Sequence, residues 1–237
     1  MKRWMQNLFI KNIRRAIDDY HMIQKGDRIL VGVSGGKDRS LLFYTLTLLS
    51  KYGPYDFEVM GLTVDHGLIG NIEAYRQYCK TEGLDLQIHE EHYATNLTLE
   101  GAFAPCYTCS RLRKGIIKRY ALENGFNKIA LGHTKDDLVE TFVMNIFQHG
   151  KIATMPPISS VTEELNMIRP LMYMDEVSII KATEALKIPL MKDICAFSHN
   201  RLRSRSEDLI HQIELTAPDF SDKVIQALGN VDLNRLL

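Results

Sequence analysis

A glycine-rich turn between a predicted strand and a predicted helix carries the strongest chemical signal in the sequence. The turn consists of Ser34, Gly35, Gly36, Lys37 and Asp38. Adjacent glycines let the backbone turn tightly and bring successive N–H groups up to an anion, and the N-terminus of the next helix adds a partial positive charge. Lys37 supplies a full positive charge and Ser34 a hydroxyl donor. We therefore predict a phosphate-binding loop that matches neither the Walker A nor the dinucleotide-binding pattern. A strand–helix turn without a ligand is the alternative.

Two of the four cysteines, Cys106 and Cys109, are separated by two residues. Thiols at this spacing can share one metal centre or cycle as a redox pair. A tetrahedral zinc site or a cubane cluster takes three or four thiolates, so a further ligand is needed. Cys79 falls within a predicted helix and is interpreted as a packed residue. Cys195 lies in an irregular segment near basic residues and is the better third ligand, with a buried thiol as the alternative.

A second candidate binding segment, residues 131–137, follows a predicted strand and reads Leu-Gly-His-Thr-Lys-Asp-Asp. Ligands of an open parallel sheet bind at the carboxyl ends of its strands, which makes Gly132 and His133 candidates for contact with a nucleotide. Asp136 or Asp137 could hold Mg²⁺ or act as a base. The alternative is that these aspartates only cap the helix that follows. One aspartate of the pair could act as a cap while the other binds Mg²⁺ or acts as a base.

The elements that position these residues follow from the hydrophobic pattern. Apolar runs predict strands, and the longer stretches between glycines predict helices, in alternation. The predicted strands are 28–33, 57–64, 84–92 and 128–132, and the predicted helices are 40–53, 71–83, 111–125 and 136–148, after an amphipathic helix within residues 1–24. This alternation predicts an α/β fold with a doubly wound parallel sheet and helices on both faces.

The remaining segments are less regular. We predict loops at 96–109 and 151–160, a strand at 165–171, a helix at 175–186 and a helical tail at 206–230. We divide the chain into an N-terminal helix (1–25), an α/β core that carries the glycine-rich turn (26–150) and a C-terminal extension that completes the site (151–237). All three are expected to form a single compact domain.

Composition excludes several classes of protein. The chain has 237 residues, and its 29 Lys+Arg balance 29 Asp+Glu. The length fits one domain with small appendages. A net charge of zero gives no reason to expect that the molecule as a whole attracts a nucleic acid, so any contact with one must come from local basic patches. We find no apolar run long enough for a membrane span and no signal peptide, and the four cysteines then favour a reduced, cytoplasmic protein over a disulfide scaffold.

The glycine-rich turn resembles the SGGxDS loop of the PP-loop ATP pyrophosphatases, which cleave ATP between the α and β phosphates and adenylate a substrate oxygen. Arg39 stands where that family usually has Ser, and Ser40 follows. In order along the chain come the turn, CYTCSRLRKG, IALGHTKDD, MPP, IRPL and a late cysteine. This series resembles the TtcA family, the tRNA 2-thiocytidine synthetases, over about residues 8–205.

The resemblance implies transfer of sulfur to C2 of a cytidine in the tRNA anticodon loop, with ATP, Mg²⁺ and a [4Fe–4S] cluster. By position, the cluster ligands would be Cys106, Cys109 and Cys195. Lys192 stands where the family commonly shows another cysteine, so three thiolates would leave one iron open to bind sulfide.

The resemblance, together with the expected position of these segments at one sheet edge, gives the candidate ATP contacts. Besides the turn itself, these would be Ser40, Asp65, Gly132, His133 and Asp137. Lys37 would neutralise charge on the phosphates, and Mg²⁺ would be held by Asp38 or Asp137. For Asp65, which ends the second predicted strand, the alternative is a simple turn residue.

Contact with tRNA would come from two basic clusters that flank the candidate thiol ligands. They are Arg111, Arg113, Lys114, Lys118 and Arg119, and then Arg201, Arg203 and Arg205. Such phosphate contacts give affinity without sequence choice. A flipped-out base would stack on aromatic residues, for which Phe103, Tyr107 and Phe197 are nearby in sequence. A solvated helix face is the alternative for the first cluster.

The partners implied are tRNA, a sulfur donor such as a cysteine desulfurase, and a second copy of the chain in a homodimer. Two other functions stay open. A lysidine synthetase-like ligase shares the ATP chemistry but gives no reason for the cysteines. A non-catalytic zinc- or nucleotide-binding RNA module is favoured by Arg39 in the phosphate loop.

Overall fold

The computed structural model describes residues 2–93, 105–193, 204–232 and 234. Its strands are β1 (Asp27–Gly32), β2 (Phe57–Asp65), β3 (Ile69–Gly70), β4 (Leu86–Glu90), β5 (Lys128–Ala130), β6 (Ile158–Ser160), β7 (Asn166–Ile168) and β8 (Lys192–Asp193). Six of them form one sheet in the order β4-β2-β1-β5-β7-β6, and β3 pairs with β8 in a separate antiparallel ribbon. Every pairing in the large sheet is parallel except that of β6 with β7, which confirms the predicted α/β class.

Helices connect these strands. The first helix, α1, consists of Arg3–Met5, a π-helical stretch Gln6–Ile10, and Lys11–Asp19. The others in the described residues are α2 (Lys37–Tyr52), α3 (Ile72–Glu82), α4 (Pro105–Glu123), α5 (Lys135–His149), α6 (Glu176–Ala185), α7 (Ser204–Thr216) and α8 (Phe220–Leu228). None of the helices described is both long enough and apolar enough to cross a membrane.

Alternate residues of β1 point to opposite faces of the sheet, and both faces are covered. Ile29 and Val31 of β1, and Val33 just after it, join the larger core cluster, together with residues of α1, α2 and α6. Leu30 joins a second cluster that includes Ala121 of α4. Helices therefore lie on both faces of the sheet, as the alternating pattern predicted.

The strand order reverses between β1 and β5. From β1 the chain moves outward through β2 to β4, then returns to place β5 on the other side of β1. Open α/β sheets bind ligands at such a switch point, outside the carboxyl ends of the strands. The segments that follow β1 and β5 are residues 33–36 and 131–134, so the two strongest sequence motifs meet there.

At the opposite end of the same two strands, a buried ion pair ties the sheet together. Nζ of Lys128 lies 2.5 Å from Oδ2 of Asp27, and both side chains are nearly inaccessible to solvent. Nζ of Lys128 also donates to the carbonyl of Met22, and Asn127 donates to the second carboxylate oxygen of Asp27. This polar cluster is structural, since it lies at the strand starts, away from the switch point.

Two predicted boundaries near the motifs differ from the structure. Helix α2 begins at Lys37, inside the glycine-rich turn, whereas the prediction started at residue 40. Helix α4 begins at Pro105, so the Cys-x-x-Cys pair lies in its first turns instead of in the loop predicted for 96–109. Proline is favoured at the first helical position because its missing N–H is not needed there.

The C-terminal third also differs from the prediction. Edge strand β6 lies within the predicted loop 151–160 and pairs antiparallel with β7. The predicted tail helix 206–230 is two helices, α7 and α8, interrupted next to Pro218. The division into three segments remains a prediction.

Candidate functional site

The glycine-rich turn presents the N-terminus of α2 at the switch point. Gly36 is the N-cap residue, with an extended backbone (φ −72°, ψ 155°), and no side chain caps this end of the helix. The first N–H groups of a helix have no partner among its own carbonyls, so the start of a helix at a sheet edge is a common binding place for an anion. A Cβ on Gly36 would meet nothing nearer than Oγ of Ser34 at 3.9 Å. The open side of the turn is therefore accessible for a ligand.

The other side of the turn is closed by Met191. Gly35 has φ +76°, and a Cβ there would lie 2.1 Å from Cβ of Met191. The Met191 N–H donates to the carbonyl of Gly35 at 3.1 Å. Only glycine fits between a left-handed turn and this neighbour. The segment just before β8 thus supports the turn from behind.

Lys37 is held by a carboxylate that the sequence analysis did not identify. Its Nζ lies 2.7 Å from Oε1 of Glu176, the first residue of α6, and 3.7 Å from Oδ1 of Asp38. The position of Glu176 is fixed by Asp136, whose Oδ2 accepts the Glu176 backbone N–H at 2.7 Å. Asp136 therefore caps α6 and not α5, the helix to which it belongs.

Asp38 carries an electrostatic penalty in the free protein. Burial raises the pKa of its carboxyl, the ammonium of Lys37 opposes this, and the charges of Asp137 and Glu176 raise it further. Its Oδ1 is buried and accepts no hydrogen bond from the described residues. Among the described residues no group of three or more His, Cys, Asp or Glu side chains forms a metal site, so this buried oxygen would hold a cation only together with oxygens from elsewhere, such as those of a bound phosphate.

Asp137 forms a capping box at the start of α5. Its Oδ2 accepts the Thr134 backbone N–H at 2.9 Å, and its own N–H donates to Oγ1 of Thr134. The capping interpretation is thus correct for this residue. Its charge nevertheless acts on the carboxyl of Asp38 and on the imidazole of His133. Asp137 therefore remains a candidate Mg²⁺ ligand.

Gly132 allows the two loops to approach each other. A Cβ at this position would lie 2.9 Å from Cγ and 3.2 Å from the backbone N of Arg39. The Arg39 side chain therefore passes directly over Gly132, and its charge acts on His133. Ser40, which follows Arg39 and was predicted to contact ATP, is 1% exposed and is buried next to Tyr75, so the structure does not support that contact.

His133 is contacted by Arg169, a second residue that the sequence analysis missed. Nε of Arg169 donates to Nδ1 of His133 at 3.1 Å. Burial lowers the pKa of His133 to about 4, with Arg169 and Arg39 acting in the same direction and Asp137 opposing them. The signal available in the sequence was an arginine inside the otherwise apolar IRPL run, which follows strand β7.

Asp65 ends β2 and forms the turn that follows it. Its Oδ1 accepts the Gly67 N–H at 2.9 Å, and its Oδ2 lies 3.9 Å from Nε2 of His92. The turn interpretation is therefore correct. A contact with adenosine stays a prediction.

Cys109 is half-buried in the first turns of α4, opposite Tyr93. The Tyr93 hydroxyl donates to the Cys109 carbonyl at 3.3 Å and lies 3.9 Å from its Sγ. The thiol of Cys106 and the whole of Cys195 lie outside what the structure describes, so the convergence of three thiols remains a prediction. Cys79 is packed as predicted: it is 1% exposed, and burial raises the pKa of its thiol to about 12.

A basic stripe runs along α4 from the Cys-x-x-Cys pair. Its basic members, Arg111, Lys114 and Lys118, recur at helical spacing on one face, and Tyr107 lies one turn before them on the same face. Tyr107 is 68% exposed, and the charge of Lys114 lowers the pKa of His133, which places this face beside the switch point.

Of the other predicted RNA contacts, two have side chains that the structure describes. Arg113 is half-buried, and its charge acts on Tyr93, whereas Arg119 is paired with Glu91 at 3.0 Å. The remaining predicted contacts fall outside the described side chains: Phe103, Phe197, Arg201, Arg203 and Arg205.

Comparisons with known proteins agree with this arrangement. The model of a PP-loop domain family matches residues 5–208. A tRNA-cytidine(32) 2-sulfurtransferase of Coxiella burnetii (strain Dugway 5J108-111) is 34% identical over 98% of this chain and 93% of its own length. A protein of the same name from Legionella pneumophila is 36% identical over 94% of this chain and 81% of its own length.

Among solved structures, the U34-tRNA thiolase NcsA from Methanococcus maripaludis, with its [4Fe–4S] cluster, superposes with a TM-score of 0.75. The match covers 97% of this chain and 80% of that one at 22% identity, which establishes a shared fold.

Proposed function

The chain belongs to the PP-loop domain family, within the group of tRNA-cytidine(32) 2-sulfurtransferases, and we propose on this basis that it is an ATP-dependent tRNA sulfurtransferase. It activates C2 of a tRNA pyrimidine, a cytidine of the anticodon loop, and replaces the oxygen with sulfur. The observation that carries this proposal is the meeting of three features at one sheet edge. They are the open phosphate loop, the imidazole of His133, and the helix that carries Cys109 and the basic stripe.

The first step consumes ATP. The C2 oxygen of the base attacks the α phosphorus, the bond between the α phosphorus and the bridging oxygen breaks, and pyrophosphate leaves. Negative charge gathers on the pyrophosphate as this bond breaks. The N-terminus of α2 and the ammonium of Lys37 face that charge and stabilise it. In the free protein Lys37 is paired with Glu176, so this ion pair must open or be shared when the phosphates enter.

Mg²⁺ accompanies ATP, and the residues present fit it. The buried Oδ1 of Asp38 accepts no hydrogen bond within the described part of the chain, and Asp137 adds a second carboxylate close by. Hard oxygen ligands of this kind suit Mg²⁺, which binds through one or two carboxylates together with substrate phosphates. We propose Asp38 as the principal protein ligand, because one oxygen of Asp137 is already occupied by the capping box.

The adenylated oxygen is a better leaving group than the original carbonyl. In the second step a C–S bond forms at C2, the C–O bond breaks, and AMP leaves with the oxygen. A [4Fe–4S] cluster, when bound, would supply an iron site that holds the incoming sulfur. We propose Cys106, Cys109 and Cys195 as its ligands. Cys109 fits, because its half-buried thiol lies at the switch-point end of α4.

The tRNA approaches along the basic stripe of α4. Arg111 and Lys114 are exposed, and the stripe runs from the Cys-x-x-Cys pair along the helix. Gly32 brings this helix close to β1, since a Cβ there would lie 2.9 Å from Cδ1 of Ile117. Phosphate contacts on the stripe would orient the anticodon loop, with Tyr107 available to stack on a base. We further propose a cysteine desulfurase as sulfur donor, a homodimeric assembly, and a cytoplasmic location, where thiolate ligands stay reduced.

The test uses anaerobically purified protein and unmodified tRNA. With ATP, Mg²⁺ and a sulfur source, the protein should release pyrophosphate in a tRNA-dependent manner and yield 2-thiocytidine, read by mass spectrometry of nucleosides. Purified protein should be brown, with iron and acid-labile sulfide in near-equal amounts. The variant C109S should lose the colour but retain ATP binding. Colourless protein with stoichiometric zinc, or pyrophosphate release with a colourless metal-free protein, would contradict the proposal.

A further inference from the structure

We propose that Arg169 is a positioning residue that fixes the tautomer of His133, so that this imidazole presents its Nε2–H as a hydrogen-bond donor to the nucleotide. The inference deepens the proposed function and rests on it for the identity of the ligand. It assigns a purpose to a buried arginine that lies two strands away from the phosphate loop, on the far side of β5.

The first step of the argument is the direction of the hydrogen bond. Nε of Arg169 lies 3.1 Å from Nδ1 of His133. A guanidinium has only donors, so Nδ1 must accept and cannot carry a proton. The proton of the neutral ring is then on Nε2. An imidazolium would place one N–H against another and lose this bond.

The second step is that Arg169 itself cannot easily move. It is 7% exposed, and its Nη1 donates to the carbonyl of Pro156 at 2.5 Å and to Oγ of Ser159 at 2.7 Å. Both acceptors belong to the segment that leads into and forms β6. Three hydrogen bonds thus fix the planar guanidinium between β6 and the loop that follows β5, with its Nε directed at His133.

The third step is the absence of a counter-charge. In the described part of the chain, all three acceptors of Arg169 are neutral groups, and burial lowers the pKa of its guanidinium. A buried cation without a carboxylate is unfavourable for folding alone. The charges of Arg39 and Lys114 act on His133 in the same direction as that of Arg169, and the carboxylate of Asp137 opposes them. A bound triphosphate would add negative charge that compensates the three cations.

This arrangement limits what His133 can do in the reaction. Burial lowers the pKa of the ring to about 4, so the ring is neutral at physiological pH. Its one lone pair, on Nδ1, is used by Arg169. His133 therefore cannot act as a general base, and it contributes a neutral N–H donor that neither adds charge nor accepts a proton from the substrate.

The experiment reads the tautomer directly. Protein with ¹⁵N-labelled histidine is studied by long-range ¹H–¹⁵N correlation at neutral pH, and the H133Q variant assigns the signal. The wild-type ring should show a protonated Nε2 and an unprotonated Nδ1, and addition of the analogue αβ-methylene ATP should shift the Nε2 resonance. A ring protonated on Nδ1, or on both nitrogens, overturns the proposal. An unchanged Nε2 resonance in analogue-saturated protein also overturns it.

Variants then test the role of Arg169. R169K keeps a positive charge but removes the donor that faces Nδ1, so the His133 signal should shift toward a mixture of tautomers. Pyrophosphate release should fall by about 10- to 150-fold in kcat/KM, the loss expected for one misplaced hydrogen bond to a charged group. A control for loss of an arginine that donates to backbone carbonyls is R28K, at the other end of β1, although Arg28 is more exposed than Arg169. R28K should leave the His133 signal unchanged. If R169K lowers activity while the His133 tautomer stays as in the wild type, Arg169 is only structural.

The two proposals fail in different ways. If wild-type protein shows the Nε2–H tautomer and binds the analogue but never thiolates tRNA, the proposed function is wrong and the positioning role stands. If thiolation occurs while His133 carries its proton on Nδ1, the function stands and the positioning role is wrong.

Discussion

The two glycines of the phosphate loop should respond to alanine in opposite ways. At Gly35, alanine would have to adopt φ +76°, and its Cβ would overlap Cβ of Met191 at 2.1 Å. A left-handed conformation costs alanine about 1–2 kcal/mol, and overpacking adds about 1–3 kcal/mol. In a chain of this length each kcal/mol lowers the melting temperature by about 2–4 °C, so G35A should melt about 4–20 °C below the wild type.

At Gly36 the same substitution should spare the fold and damage binding. Its φ of −72° suits alanine, and the nearest atom to a new Cβ is Oγ of Ser34 at 3.9 Å. Replacing a glycine N-cap costs less than about 1 kcal/mol. The new methyl group would, however, stand on the open side of the turn, where a phosphate must approach the N–H groups. Loss of one hydrogen bond to a charged group weakens binding by about 10- to 150-fold.

Thermal unfolding and calorimetric titration with Mg²⁺–ATP separate the two effects. M191G removes the overlapping Cβ but is itself destabilising, because Met191 is buried. G35A should therefore cost less stability when introduced into M191G than into the wild type, and the cost that remains is that of the left-handed backbone. Should G35A melt within a degree or so of the wild type, the packing of Met191 behind the turn would be wrong. If G36A instead binds ATP as tightly as the wild type, the phosphates do not bind at this turn.

Three further predictions follow from the structure. Lys128→Met should lower the free energy of unfolding by about 3–5 kcal/mol in urea denaturation, because it leaves Asp27 buried without its partner, yet ATP affinity should not change. Because the folded pKa of His133 is about 4 against an ordinary 6.5, its contribution to stability is complete above pH 6.5 and is lost as pH falls toward 4. Between pH 6.5 and pH 4 the free energy of unfolding of the wild type, measured by urea denaturation, should fall by about 2–3 kcal/mol more than that of H133Q. An equal fall in the two proteins would refute this. In anaerobic preparations C109S should lose iron and visible absorption, whereas C79S should keep both because the Cys79 thiol is packed in the core.

The sequence was sufficient to predict that the two glycine-containing motifs of the candidate site lie at the same edge of the sheet. The turn at 34–38 and the segment 131–137 each follow an apolar strand, and the alternation of strands and helices implied a parallel sheet. In such a sheet the carboxyl ends of all parallel strands lie at one edge. The meeting of the two motifs therefore followed from the class of fold, without knowledge of the strand order.

The partners across the site could not be predicted in the same way. Arg169 reaches His133 because β7 pairs with β5, and Glu176 reaches Lys37 because α6 packs beside α2. These contacts join residues that are 36 and 139 positions apart in the chain, and no local pattern encodes them. The start of α4 was misplaced for a different reason. Pro105 was interpreted as part of a loop, although proline is also favoured at the first position of a helix.

The carboxylates around Lys37 show how folding and function compete at this site. Burial and two neighbouring carboxylates raise the pKa of Asp38, so keeping this side chain ionised at neutral pH destabilises the folded protein. An asparagine would remove that penalty at nearly the same size. It would also remove the charge that attracts a divalent cation to the phosphates. If Mg²⁺ binds the buried Oδ1 as we propose, the destabilisation is relieved, and this relief contributes to the binding free energy of the Mg²⁺–nucleotide complex. An aspartate at this position is therefore better explained by ligand binding than by the stability of the fold.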